Sequence, residues 1–106
     1  MAKITWTYQA LEDVNVIAER VSISSEKYAS FLVDQFLETV EHLGAFPKAG
    51  RKVPELNLES IREIIVQNYR IIYSLSYSDE IEILAVRYSG IPLGGLETKE
   101  IGRAHV

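Results

Sequence analysis

Apolar residues recur at helical spacing through the first part of the chain and at alternate positions through the last. Leu11, Val14, Ile17, Ala18 and Val21 form one stripe, with Glu12, Asp13, Glu19 and Arg20 off it. The pattern predicts an amphipathic helix over about 8–21. Thr7 is its N-cap, because a threonine hydroxyl accepts an amide hydrogen bond from the first turn. Ile4-Thr5-Trp6 ahead of it is β-prone. Ser22-Ile23-Ser24-Ser25 interrupts the helix, and a serine followed by Glu26 restarts one. The second stripe is Ala29, Leu32, Val33, Phe36, Val40 and Leu43, widened by Phe31 and Leu37. Gly44 is placed to end that helix, and Pro47 stops any continuation. A link of about three residues makes the two helices an antiparallel hairpin.

After a loop region containing Pro47, Gly50 and Pro54 the apolar period changes to two. Residues 61–66, 69–77 and 80–88 read as three strands. Gln67-Asn68 is the first turn, with Asn68 suited to positive φ, and Ser78-Asp79 is the second. The expected fold is α+β, in the order β-α-α-β-β-β: an antiparallel sheet with the helical hairpin packed on one face. Tyr69, Ile71, Tyr73, Leu75 and Tyr77 share one face of the middle strand, which favours core packing over base stacking for the tyrosines. Arg62, Ile64 and Val66 share a face of the first strand, and Ile81, Ile83, Ala85 and Arg87 a face of the third. Strands this apolar on both sides leave a second face that a partner or a C-terminal extension can cover.

The length of 106 residues holds one core, expected over 1–93, followed by a tail over 94–106. The segment Glu100 to Val106 is the string that an untrimmed sequencing adapter gives on translation, so no functional argument is placed there. Cysteine is absent, which excludes disulfide frameworks, thiol nucleophiles and thiolate metal sites. The start carries no apolar leader and no run approaches a membrane span, so a cytoplasmic protein is expected. His42 and His105 are too few for a histidine metal site, and no cofactor is implied. The net charge of −4 excludes a uniformly basic surface of the kind that wraps nucleic acid. That excess sits in residues 1–45, which carry three basic side chains against seven acidic; residues 46–88 balance six against six.

Four of the six arginines lie between Arg51 and Arg87. Guanidinium suits phosphate because its planar fork matches two oxygens and keeps its charge. Arg62 and Arg70 flank the first hairpin turn, and antiparallel pairing can bring them near each other. Arg51, Lys52 and Glu55 sit on the preceding loop, and Tyr88 ends the last strand. Arginines to hold a phosphate, a carboxylate to take a 2′-hydroxyl proton and a tyrosine at the leaving group make a candidate ribonuclease set. Pairing of the same arginines with neighbours such as Glu63 or Glu82 is the structural alternative.

One ordered set of short motifs runs through the chain: Trp6-Thr7 with Ala10 and Asp13; Phe46-Pro47, Gly50-Arg51 and Val53-Pro54-Glu55; Ile61-Arg62-Glu63; Tyr69-Arg70-Ile71-Ile72-Tyr73; and Ile83-Leu84-Ala85-Val86-Arg87. In this it resembles the RelE/ParE superfamily of type II toxin–antitoxin toxins, and most of all the plasmid-stabilisation proteins within it. The resemblance covers about residues 4–93 and implies a growth-arresting toxin that assembles with a cognate antitoxin. It implies one of two activities, of which the first is the expected one and the second the alternative. The first is metal-independent cleavage of ribosome-bound mRNA, with Arg62, Arg70, Glu55 and Tyr88 as catalytic residues and Arg51, Lys52 and Arg87 on the RNA. The second is non-enzymatic inhibition of DNA gyrase. A non-toxic antitoxin-binding relative is a third outcome.

Overall fold

The computed structural model describes residues 1–93. The elements are β1 (Lys3–Trp6), α1 (Tyr8–Ser24), α2 (Glu26–Ala45), β2 (Arg51–Lys52), β3 (Ile61–Val66), β4 (Tyr69–Leu75) and β5 (Glu80–Tyr88). They form a five-stranded sheet in the order β1-β5-β4-β3-β2 with both helices on one side. The expected α+β architecture is present, with two refinements. The loop before β3 contributes the short edge strand β2, antiparallel to β3. The N-terminal strand runs parallel to β5, Ile4 opposite Ile81 and Trp6 opposite Ile83, so the sheet is mixed. The tail over 94–106 lies outside the described residues.

The helices start where the sequence caps them. Thr7 Oγ1 accepts from the Ala10 amide and donates to the Ile83 carbonyl at 2.8 Å, so the cap also fixes α1 to β5. Ser25 alone separates the helices. Its amide donates to Val21 O, closing α1, and its hydroxyl accepts from the Tyr28 amide, opening α2. Gly44 lies inside α2, which runs on to Ala45. Its small size serves packing instead of a cap: a Cβ there would sit 3.2 Å from Met1 Cε and 3.3 Å from Ile4 Cδ1. The inner face of α1 is Ala10, Val14, Ile17 and Val21; Leu11, expected inside, is about half exposed. Ala10 is fully buried, where a larger side chain would push the helix off the sheet.

The helix-side core joins Ala10, Leu32, Phe36, Val40 and Leu43 to Val66, Ile71, Tyr73, Ile81, Ile83 and Val86. A smaller cluster of Val53, Ile61, Ile72, Leu84 and Ala85 lies on the other face, with Leu56 and Leu93 packed on it. Strict alternation fails in β5. Ile72 pairs with Ala85 but Tyr73 pairs with Ile83, leaving Leu84 as a bulge residue. Leu84 and Ala85 therefore face the same way, Val86 returns to the helix side, and Arg87 points with Ala85 instead of with Ile83. The first turn takes its positive φ at Gln67 (55°) and not at Asn68; Asp79 (58°) does the same in the second. β4 ends at Leu75, which leaves Tyr77 outside the sheet and fully exposed.

Candidate functional site

Register brings three of the candidate residues together on the sheet face away from the helices. Arg51 lies directly opposite Glu63. Glu63 lies opposite Ile72, which places Arg70 diagonal to it on the same face. Glu55 reaches in from the loop after β2. Arg70 is clamped by two carboxylates: its Nη1 donates to Glu55 Oε2 at 2.9 Å and its Nη2 to Glu55 Oε1 at 2.8 Å, and Nη2 also pairs with Glu63. Arg51 Nε donates to Glu63 Oε2 at 2.8 Å from the solvent side. The result is an alternating chain, Arg51–Glu63–Arg70–Glu55, whose inner members are 1% (Glu63) and 5% (Arg70) exposed. A buried charge without a partner is costly, so each inner group requires the other.

The electrostatics follow the contacts. Hydrogen bonding from Arg70 holds the Glu55 carboxyl down at about 2, against the opposing effect of burial and with help from the Leu93 amide. The same bond raises Arg70 above the usual arginine value. A carboxylate with so low a proton affinity is a weak general base at neutral pH.

Arg62 is elsewhere. It shares the face of Ile64 and Val66, and it pairs with Tyr73 while Arg70 pairs with Ile65. The two arginines thus point to opposite sides of the sheet, and the hairpin separates them by roughly 10 Å along the strands. Arg62 donates to Gly50 O at 2.8 Å, Glu59 O at 3.2 Å and Glu59 Oε2 at 2.9 Å. Lys52 meets the other oxygen of Glu59 at 3.3 Å. That lysine is the first cause of the lowered Glu59 pKa, with Arg62 adding to it. Tyr88 pairs with Tyr69 on the helix side, ring edge to ring face at 6.0 Å. Arg87 lies opposite Arg70 and pairs with Asp13 of α1, whose Oδ2 also accepts from the Val86 amide at 2.9 Å.

Of the expected set, then, Arg70, Glu55 and Arg51 meet. Arg62 with Lys52, and Tyr88, lie on the far side of the sheet at opposite ends of the strands. Three acids outside the expected set complete the ion pairs: Glu63 with Arg51 and Arg70, Asp13 with Arg87, and Glu59 with Lys52 and Arg62. Glu63 was legible as an acid between Ile61 and Ile65 on an otherwise apolar strand face.

A sequence model of the ParE toxins of type II toxin–antitoxin systems matches residues 4–91. The chain belongs to the ParE toxin family. A toxin–antitoxin complex structure described as the chromosomal ParDE system of P. aeruginosa contains a chain similar to this one, with a TM-score of 0.68 at 21% identity, covering 83% of this chain and 96% of that one. The RelBE2 toxin–antitoxin complex of Mycobacterium tuberculosis contains another, with a TM-score of 0.57 at 17% identity, covering 82% and 96%. At these identities the likeness is one of fold. No curated protein matches the chain. The motifs that carried the RelE/ParE resemblance now have local explanations. Thr7 caps α1 and ties it to β5, and Asp13 holds Val86 and Arg87. Tyr73 donates to Pro47 O at 2.7 Å and accepts from Gly50 N at 3.0 Å. In this ParE family member these residues fasten the loop and α1 to the sheet.

Proposed function

We propose that the chain is a growth-arresting toxin that acts by binding DNA gyrase instead of by cutting RNA, and that a cognate antitoxin holds it in check. The observation that carries this reading is the dispersal of the ribonuclease set. Cleavage needs phosphate-binding arginines, a base and a group at the leaving oxygen around one bond. Here Arg70 and Glu55 neutralise each other, and Arg62 and Tyr88 lie across the sheet from them. The family match to ParE toxins supports the same branch. The antitoxin is supported by an apolar groove of about 350 Å³ lined by Trp6, Tyr8, Leu11, Val33 and Leu37 on the helical hairpin. Glu12 is among its lining residues, and residues 1–45 as a whole carry seven acidic side chains against three basic. The groove suits a segment with apolar and basic side chains. Plasmid stabilisation follows where toxin and antitoxin are encoded on a plasmid.

The test separates the branches. Purified protein is expected to inhibit gyrase supercoiling and to leave a purified translation reaction and its mRNA intact. Arg62→Ala and Tyr88→Phe are expected to keep that inhibition. Cleaved mRNA with unaffected supercoiling overturns the proposal in favour of a ribosome-dependent ribonuclease. Absence of both effects overturns it in favour of a non-toxic antitoxin-binding protein.

A further inference from the structure

The chain does not leave the sheet where β5 ends. The Ser89 amide donates to Asn68 O at 2.7 Å, carrying the strand past the β3–β4 turn. The Ile91 amide donates back to Tyr88 O at 3.2 Å and reverses the chain. Leu93 then packs on the open-face cluster of Val53, Ile61, Ile72, Leu84 and Ala85. Its amide donates to Glu55 Oε2 at 3.0 Å. That oxygen is the one that also accepts from Arg70 Nη1.

We infer that residues 89–93 form a strap across the open face of the sheet, and that Glu55, positioned by Arg70, is the latch that holds it closed. Two strengths of interaction sit on one carboxylate. The Arg70 fork is bidentate and buried, and the Arg70 Nε has no hydrogen-bond partner among the described residues. Loss of Glu55 would leave that guanidinium still further short of partners, so Glu55 stays with Arg70. The Leu93 amide contributes a single bond near the surface. The strap therefore opens at Leu93 while the Glu55–Arg70 pair remains as the fixed post. Opening uncovers Leu84 and Val53 and admits water to the ion-pair chain. The inference stands apart from the choice of target, since neither gyrase nor RNA enters it.

Amide hydrogen exchange on the full-length protein tests this. In the unaltered chain the Leu93 amide is expected to exchange more slowly than an unstructured amide. Glu55→Ala should speed Leu93 and Ile91 by about tenfold, the loss of one bond to a charged group. The Val86 and Leu75 amides, bonded to Asp13 and to Ser60 O, should keep their rates. Arg70→Lys keeps the charge but loses the fork, and should also speed Leu93. Leu93→Pro removes the amide donor together with the packed leucine side chain and leaves Glu55 and Arg70 untouched, so Ile91 should quicken with that pair intact even if Glu55→Ala fails to fold. An unprotected Leu93 amide in the unaltered chain, an equal Leu93 rate with Glu55→Ala, or an unchanged Ile91 rate with Leu93→Pro overturns the inference.

Discussion

Gly50 leaves no room for a methyl group. A Cβ there would lie 2.5 Å from Glu63 O and 2.7 Å from Tyr73 Oη, and the backbone carbonyl cannot move aside without breaking the sheet. Gly50→Ala is expected to destabilise the fold by about 1–3 kcal/mol, read as a lower urea midpoint. Gly90→Ala meets only the half-exposed ring of Tyr88, which can turn away, and should stay within about 0.5 kcal/mol of the parent. Glu55 sets a pH dependence of defined sign. Its carboxyl titrates at about 2 in the folded protein against 4.5 ordinarily. Its contribution to stability is therefore complete above pH 4.5 and is lost as pH falls from 4.5 towards 2. Glu55→Gln should flatten that part of the acid-denaturation curve and leave the rest unchanged.

Helix α1 is fixed to the sheet by a few polar contacts as well as by its apolar face. Beyond Trp6, strand β5 has lost its β1 partner, and α1 supplies the missing acceptor through Asp13. Asp13→Ala leaves the Val86 amide and the partly buried Arg87 without that carboxylate, and should cost about 1–3 kcal/mol. Leu11→Ala, on the exposed side of the same helix, should cost under about 1 kcal/mol. Paired thermal melts distinguish the two. Most of this layer was legible in sequence. Thr7 and Ser25 announce their helices, and the change of period after the Pro-Gly loop announces the sheet. What was not legible has physical causes. The bulge at Leu84 reverses facing without any glycine to signal it. Arg62 and Arg70 are eight positions apart, an even number that suggests one face. They lie on two paired strands, however, and there facing follows register, not spacing.

At the scale of the whole molecule the sheet is buried on both faces, one side under the helices and the other under the Val53–Leu58 loop and Leu93. Ile71 and Ile72 are adjacent, both fully buried, and on opposite sides. Ile71→Ala and Ile72→Ala should each cost about 2–5 kcal/mol, whereas the half-exposed Ile65→Ala should cost far less. A one-sided sheet would spare Ile72, so denaturant titration of the three variants reads the architecture directly. The parallel β1–β5 pairing has a consequence for how the protein is made. Lys3 waits for Glu80 and Trp6 for Ile83, the two ends of the fold meeting at its edge. A chain emerging N-terminus first from the ribosome can form its helical hairpin early, but its first strand finds a partner only after its last strand has been translated. Synthesis thus delivers the folded toxin only at completion, and a nascent chain stalled before Glu80 carries its helices with no finished sheet beneath them.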